Sequence, residues 1–503
     1  MAALGRSHLP WSRVGHGLVV VAVWFAISSA VAVFLFLTSS RTIDVASHET
    51  VVRPTTSRWV VMHTGPVLPD LRMPSGTVIG IDLDLGGTEA ESLDALVNRY
   101  AFIASHPQSQ IDVVRDALAD MAVTAGLRGA VVGLIPVVLW VVIGHDGRGQ
   151  VRQAFARRSV LVGGLALLVA GGLAFWPWGF ARGGSSDGES WQSLSAFAGT
   201  AVQLPPEISG LQLNANLTTQ ESKRLVLSAI STYQRSLAFY DTAADQVADL
   251  EIRTPLKGET VALLVSDRHD NIGMDQVARA IADAGGATVV LDAGDDTSTG
   301  STWEAFSLDS LQERFKDFDR IAISGNHDHG DFVSSYLGKR GWVNPAGEVV
   351  DGPGGSLLWG RDDPRSSGLG NWVDIAGSYA DYQSEVADAV CSSDERVGTV
   401  LVHATSLAAE VLQRGCADLV IGGHLHVQQG PDRVVGTNGE VGFSYTNGTT
   451  GGAAYAIAVG SKPRREAEVT LITYRDGRPV GLQPVRLQTN GRFHVSPYLP
   501  LLY

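Results

Sequence analysis

Cysteine is nearly missing from this 503-residue chain: Cys391 and Cys416 are the only two, which excludes a disulfide scaffold and a thiolate metal cluster. Lysine is scarce as well, five among 38 basic residues, a compositional bias of a GC-rich genome rather than a functional signal. Positive charge is in deficit. Residues 1–187 hold 14 basic and 13 acidic residues, net +1, whereas residues 188–503 hold 24 and 39, net −15. So acidic a part repels polyanions, and a nucleic-acid binder needs Lys and Arg to displace counterions, so no nucleic-acid partner is expected. Apolar sequence is plentiful, 45% against 18% charged, which excludes disorder.

Three long runs lack charge almost entirely. Leu18 to Leu37 has only Ser28 and Ser29 as polar residues over 20 positions, enough to cross a hydrocarbon core of about 30 Å at about 1.5 Å per residue. Gly126 to Gly144 carries Arg128 near one end, where it can snorkel, and Pro136 inside. Ser159 to Trp178 closes on Phe175, Trp176 and Trp178, an interfacial aromatic cluster. The expected spans are therefore 17–38, 126–144 and 159–178. Short cytoplasmic segments carry the excess of Arg and Lys. Arg6 and Arg13 precede the first run with no acid, and Arg148, Arg152, Arg157 and Arg158 stand against Asp146 alone in the loop 145–158. The tail 1–16 and this loop are expected in the cytoplasm, and 39–125 and everything after 179 outside. The first run exceeds the about 7 to 15 apolar residues of a signal peptide, and no A-x-A site follows it.

The outer segment 39–125 reads as a small mixed α/β module: Val45 to Val52, Trp59 to Val67 and Val78 to Leu83 are β-rich, and Gln110 to Met121 has helical spacing. His48, His63 and His106 sit in it singly, as surface or satisfied histidines do. Residues 179–257 read as a linker, Gly/Ser-rich at Gly183 to Gly188, followed by a polar helical stalk or cover from Thr219 to Leu250.

From residue 258 on, short apolar runs alternate with helical segments, and each run opens onto acids and histidines. Val261 to Val265 precedes Asp267, His269, Asp270 and Asn271; Thr288 to Leu291 precedes Gly294, Asp295 and Asp296; Ile321 to Ile323 precedes Gly325, Asn326, His327, Asp328 and His329. Thr399 to Val402 precedes His403, and Leu419 to Ile421 precedes Gly422, Gly423, His424 and His426. Open α/β sheets place their sites outside the C-terminal ends of strands. Imidazole with carboxylate suits Zn, Fe and Mn. Glu468 to Tyr474 and Pro479 to Leu487 alternate around Asp476-Gly477, a hairpin signal.

The ordered set D-x-H, G-D, G-N-H-D, H and G-H-x-H resembles the calcineurin-like metallophosphoesterase superfamily, in a membrane-anchored bacterial member, over about 258–485. The resemblance implies a four-layer α/β/β/α sandwich in 258–503 and a binuclear site. Asp267, His269 and His426 would hold one metal, Asn326, His403 and His424 the other, and Asp295 would bridge them; His327 would be the catalytic histidine and Asp328 its orienting partner. Two cations about 3.5 to 4 Å apart, Mn, Fe or Zn, clamp a phosphoryl group and lower the pKa of a shared water, so that a bridging hydroxide attacks the ester. Asp270 stands where Gly is common in this motif, and Asp296 follows the bridging Asp295. Added negative charge there would slightly favour a diester over a monoester, while solvated acids beside the site are the plainer reading. His329 is expected to pack or face solvent, and Asn447 to Gly452 to form a cleft wall or a tight turn. The expected function is a membrane-anchored phosphoesterase acting outside the cell on a phosphate ester, plausibly lipid- or cell-wall-linked, with membrane lipid as surroundings. A catalytically silent scaffold or receptor on the same fold is the alternative.

The Arg placement gives a direct test. Alkaline phosphatase fused after residue 185 should be active and a fusion near Gly149 inactive; the reverse pattern would overturn the orientation.

Overall fold

The computed structural model describes residues 11–65, 69–88, 108–144, 147, 190–198, 210–214, 220–367, 372–453 and 462–503. The third expected span, most of the basic loop, the Gly/Ser linker and His106 lie outside the described residues. The chain divides into two units, 1–87 with 111–199 and 209–222, and 88–110 with 200–208 and 223–503.

In the first unit, helix α1 (Trp11–Leu37) is followed by strands β1 (Arg41–Val45), β2 (His48–Thr55), β3 (Trp59–His63), β4 (Leu71–Pro74) and β5 (Gly80–Thr88), then helix α2 (Gln108–Val142). After them come β6 (Trp191–Ser193), the short α3 (Leu194–Ala198) and β7 (Gln212–Asn214), and the strands form one sheet in the order β1-β2-β5-β3-β4-β7-β6. The strand expected at Val45 to Val52 is instead a hairpin, because Ala46 and Ser47 adopt φ of 52° and 67° and reverse the chain. Neither is Gly, Asn or Asp, so the turn carries no sequence signal. His48 Nδ1 donates to Gly86 O at 2.9 Å and His63 Nδ1 lies 3.0 Å from Asp70 Oδ2, so both are satisfied. The helical segment at 110–121 and the second apolar run form one continuous helix, α2.

Two helices, over Gly17–Leu37 and Gln108–Val142, are long and apolar enough to cross a membrane. They pack closely through Gly129 and Gly133, the small residues of a G-x-x-x-G spacing. A Cβ on Gly129 would stand 2.5 Å from Ser28 O, and one on Gly133 would stand 2.1 Å from Ser28 Oγ. Trp24 Nε1 donates to Ala130 O across the same contact at 3.1 Å.

The second unit contains α4 (Gln220–Gln246, from Lys223 on), β8 (Glu259–Val265), α5 (Gly273–Ala284), β9 (Ala287–Asp292), α6 (Ala305–Phe315), β10 (Asp319–Ala322) and α7 (Phe332–Gly338). Next come β11 (Val349–Asp351), β12 (Leu357–Arg361), α8 (Tyr379–Cys391), β13 (Val397–Val402), α9 (Ala409–Arg414), β14 (Ala417–Gly422), β15 (Gln429–Val435) and β16 (Val441–Thr446). Strands β17 (Ala467–Arg475), β18 (Arg478–Leu487), β19 (Phe493–Val495) and β20 (Leu499–Pro500) complete it. The expected hairpin is present between β17 and β18; Asp476 and Gly477 take φ of 51° and 73°, the pair of positive values a two-residue type I′ turn requires.

One sheet has the order β10-β9-β8-β17-β18-β19, the other β11-β12-β13-β14-β16-β15. Strands β8, β9 and β10 are mutually parallel, as are β12, β13, β14 and β16. Their continuous apolar runs, rather than alternating ones, follow from burial on both faces. Leu263 and Val265 of β8 pack with Val277 and Ile281 of α5 and Leu311 and Phe315 of α6, whereas Ala262 and Leu264 face a cluster holding Leu401 of β13 and Leu419 and Ile421 of β14. Val400 and Val420 point the other way, onto Val386 and Val390 of α8 and Val411 and Leu412 of α9. The five strand ends read from the sequence thus come from two sheets that meet through one apolar layer.

Cys391 and Cys416 form a disulfide with Cα atoms 5.2 Å apart, joining the N-terminal approaches to β13 and β14, at the end remote from His403 and His424. A closed loop with a separation of 25 residues stabilises by roughly 3 kcal/mol on the chain-entropy estimate. Thiol labelling of denatured protein should detect no thiol without reductant and two per chain with it; two without reductant would show the bridge to be absent.

Candidate metal centre

The acidic and imidazole side chains reach one place because the backbone that carries them is bent into an unusual conformation. Asp267, His269, Asp270, Asp295, His424 and His426 all have φ between 45° and 72°. The left-handed region costs a residue with a Cβ about 1–2 kcal/mol, and such strain concentrates at functional sites. Each residue follows the C-terminal end of β8, β9 or β14, where the chain leaves the ladder and must turn within a few residues.

Asp267, His269, Asp295 and His426 each offer a ligand atom, all within 4.8 Å of one another. His269 Nε2 lies 3.1 Å from His426 Nε2 and 3.8 Å from Asp295 Oδ2, and His426 Nε2 lies 3.3 Å from Asp267 Oδ1. His403 Nε2 stands 3.2 Å from the same Asp295 Oδ2, and Asn326 Oδ1 is 2.8 Å from His424 Nδ1. The His403 and His424 rings meet edge to face at 5.1 Å between centroids. Asp267, His269, Asp295, Asn326 and His403 are buried, while His424 and His426 are half-buried at the mouth.

These contacts fit metal ions. His403 Nδ1 donates to Ala293 O at 2.7 Å, and His426 Nδ1 donates to Ala453 O at 3.0 Å. The neutral tautomers therefore turn bare Nε2 lone pairs toward Asp295 and Asp267, acceptor against acceptor. A proton or a cation must lie between such atoms, and a metal-ligating histidine commonly donates its other ring proton to a carbonyl in this way. Without a cation the strain appears as proton affinity. Burial opposes charge on His403, but Asp295 and Asp267 outweigh it and raise its pKa to about 10. Burial likewise opposes charge on Asp295, yet His403, His269 and His327 hold it well below the ordinary carboxylate range. Burial pushes His269 and His424 down to about 4.

His327 is half-buried beside the cluster. Its backbone N–H donates to Asp295 Oδ1 at 2.7 Å, and its Nδ1 lies 3.2 Å from Ser298 O. Asp328, expected to orient that ring, does something else. Its Oδ2 accepts from the backbone N–H groups of Asp295 at 2.7 Å, Asp296 at 3.3 Å and Gly325 at 3.0 Å, and its Oδ1 accepts from Thr297 N at 3.0 Å and Oγ1 at 2.7 Å. It staples the loop after β10 to the loop after β9. Burial, with Asp296 and Asp295 nearby, pushes its carboxyl up to about 7 against these donors. The carbonyl of Ser298 is the group that fixes the His327 tautomer.

Asp270 and Asp296 are not solvated. Asp270 accepts from Ser298 Oγ at 2.7 Å, and Asp296 is paired with the fully buried Arg268 at 2.9 Å. Arg268 also makes two bonds to Asp275, at 2.9 and 2.7 Å. One buried cation is therefore shared by two carboxylates and offsets the charge of Asp296 only in part. His329 is half-buried, so it packs rather than standing free in solvent. Asn447 to Gly452 contains the expected turn, at Thr450 and Gly451 with Gly452 N donating to Thr449 O at 3.3 Å, and it braces the loop after β8: Thr449 Oγ1 and Gly451 N donate to Asp267 O, at 2.7 and 3.1 Å. Gly is required there, since a Cβ on Gly451 would stand 2.0 Å from Arg268 O.

A loop not anticipated from the sequence follows β12. Ser367 N donates to Asn326 O at 2.8 Å, and Ser367 Oγ bonds Asn326 Nδ2 and lies 3.4 Å from His327 Nε2. Its signal was available, since Leu357 to Trp359 is another apolar run followed by charged residues, Arg361, Asp362, Asp363 and Arg365.

Residues 261–428 match the family model for the calcineurin-like phosphoesterases. Among solved structures, an archaeal phosphodiesterase is 13% identical, over 47% of this chain and 100% of that one, with a TM-score of 0.27. The protein TT1561 of Thermus thermophilus is 10% identical, over 47% of this chain and 98% of that one, with a TM-score of 0.30. No curated protein matches the chain.

Asp295→Ala is expected to lower bound metal at both positions and abolish turnover, because each cation loses the shared carboxylate. His327→Ala should retain metal while turnover falls by on the order of 10² to 10⁴, the range for general acid catalysis. Metal analysis beside a phosphoesterase assay checks both, and unchanged turnover in His327→Ala would remove that histidine from the chemistry.

Proposed function

We propose that the chain, whose residues 261–428 form a calcineurin-like metallophosphoesterase domain, is a membrane-anchored, binuclear metal-dependent phosphoesterase acting outside the cell. The observation that carries this reading is the convergence of Asp267, His269, Asp295 and His426, with ligand atoms within 4.8 Å of one another, and of His403 on the same Asp295 carboxylate at 3.2 Å. Asp267, His269 and His426 would hold one cation, Asn326, His403 and His424 the second, with Asp295 shared. Bound there, the cations supply positive charge for the phosphoryl oxygens and lower the pKa of a water.

The remaining chemistry belongs to the chain. His327 is tied through its N–H to Asp295, and its Nδ1 proton is engaged by Ser298 O. The proton it exchanges with a leaving oxygen is therefore the one on Nε2, which faces the mouth beside Ser367. Asp328 and Arg268 hold the loops that set this distance. The succession of helices, two sheets and helices supports the four-layer α/β/β/α arrangement expected for such a domain.

Membrane anchoring is supported by α1 and α2, whose exposed faces carry Leu18, Phe25, Val131 and Val142. An exterior location is supported by the Arg placement and by the Cys391–Cys416 bridge, since disulfides persist in oxidising compartments. We read the substrate as a phosphate ester, plausibly lipid- or wall-linked. Arg268, shared by Asp275 and Asp296, offsets only part of the negative charge that would favour a diester.

The full chain in detergent, stripped of metal and reloaded separately with Mn, Fe, Zn or Ca, should hydrolyse at least one ester in a panel of phosphodiesters and monoesters only when metal is present. Two bound metals without turnover of any ester would favour a silent scaffold.

A further inference from the structure

The loop after β12 contains a cation that the metal-ligand set does not explain. Strand β12 is parallel to β13, so its C-terminal end emerges beside His403, and the following residues are fastened to the loop that carries Asn326 and His327. Asp363 N donates to Ser324 O at 2.9 Å, and Asp362 Oδ1 accepts from Ser324 N at 2.8 Å. Between these anchors and Ser367, Arg365 projects with its side chain one-fifth exposed, while the Asp363 carboxylate behind it is fully covered. Arg365 Nε and Nη2 grip Asp363 at 2.9 and 2.6 Å, a planar two-point clamp that fixes the guanidinium. Its Nη1 has no partner among the described residues.

Arg365 lies two residues from Asp363, whose N–H donates to Ser324 O at 2.9 Å, and two from Ser367, whose N–H donates to Asn326 O at 2.8 Å, so its guanidinium is held on the loop that borders Asn326 and His327. Asp363 matches the single charge of Arg365, so what the clamp leaves available is a fixed N–H donor on Nη1. A phosphoryl oxygen held at the centre would accept from that donor. Preorganised donors aimed at developing phosphoryl charge are a principal source of rate enhancement in such sites.

We propose that Arg365, held by Asp363, is a substrate-binding residue whose Nη1 takes a nonbridging oxygen of the phosphoryl group on the Asn326, His403 and His424 side of the centre. This assignment rests on the phosphoesterase reading, but phosphate binding tests it separately. The metal-loaded full chain, its Arg365→Met and Arg365→Lys variants and the surface control Arg414→Met are compared by metal analysis, by calorimetric binding of inorganic phosphate, and by kcat and KM on any ester the wild type cleaves.

Arg365→Met should keep its metals, bind phosphate at least about tenfold more weakly, and lose kcat/KM by on the order of 10²-fold, the scale for removing one charge-stabilising donor. Added guanidinium ion should restore part of the loss, which a purely structural role would not permit. Arg365→Lys keeps a cation against the covered Asp363 and guards against misfolding of the Met variant; it should weaken phosphate by a smaller factor. Arg414→Met should match the wild type. Unchanged phosphate affinity in a metal-replete Arg365→Met or, should that variant not fold, in Arg365→Lys overturns the assignment, as does a wild type that binds no phosphate. Arg365-dependent phosphate binding in a wild type that cleaves no ester would sustain it while defeating the enzyme reading.

Discussion

Two imidazole–carboxylate pairs, His403 Nε2 with Asp295 Oδ2 and His426 Nε2 with Asp267 Oδ1, are held 3.2 and 3.3 Å apart in a buried or half-buried place. Water would screen such contacts at a surface; here only a proton or a cation can lie between them. Much of the second unit can be understood as the means of holding this arrangement. Strand ends from two sheets supply the groups, and six residues with a Cβ adopt left-handed backbone to aim them. Strain of that kind persists only where the surroundings over-determine it.

The surroundings are polar and completely buried, which makes them stiff. Arg268 stands between Asp275 and Asp296, joining the loop after β8 to the loop after β9 and to the start of α5. Removing one partner of a buried pair costs about 3–5 kcal/mol, because the other charge is left uncompensated. Asp328 joins the loops after β9 and β10 through backbone amides, and Thr449 and Gly451 brace Asp267 from behind. The sheets themselves meet through an apolar layer that includes Leu264, Leu291, Leu401 and Ile421, which excludes water from the floor of the site. Rigidity of the proposed metal-ligand loops thus comes from buried polar groups packed behind them.

In the first unit the helices follow another logic. Between apolar helices in an apolar solvent, burial offers little gain, so close packing decides the contact. Gly129 and Gly133 permit it, and the Trp24 indole satisfies itself on Ala130 O within the same contact. The same composition that marks these helices as apolar says nothing about which of their faces meet.

Chain order alone reveals β8, β9, β10, β13 and β14, each an apolar run opening onto acids or histidines, while the grouping of those residues into a metal-ligand set is what the family resemblance implies. Chain order also reveals the β17–β18 hairpin, because Asp-Gly has a local conformational preference. Relations between residues far apart in the chain emerge only on folding. The Ala46-Ser47 turn has no local signal and is imposed by the pairing of β1 with β2. The bridge from Cys391 to Cys416 depends on the distance between two strand approaches. Asp328 bonds to amides about 30 residues away rather than to its neighbour His327, and Asp296 meets Arg268 rather than solvent. The reason is that an apolar run fixes where a chain is buried, whereas a polar side chain's partner is fixed by whichever donors and acceptors the packed strands bring within about 3 Å of it.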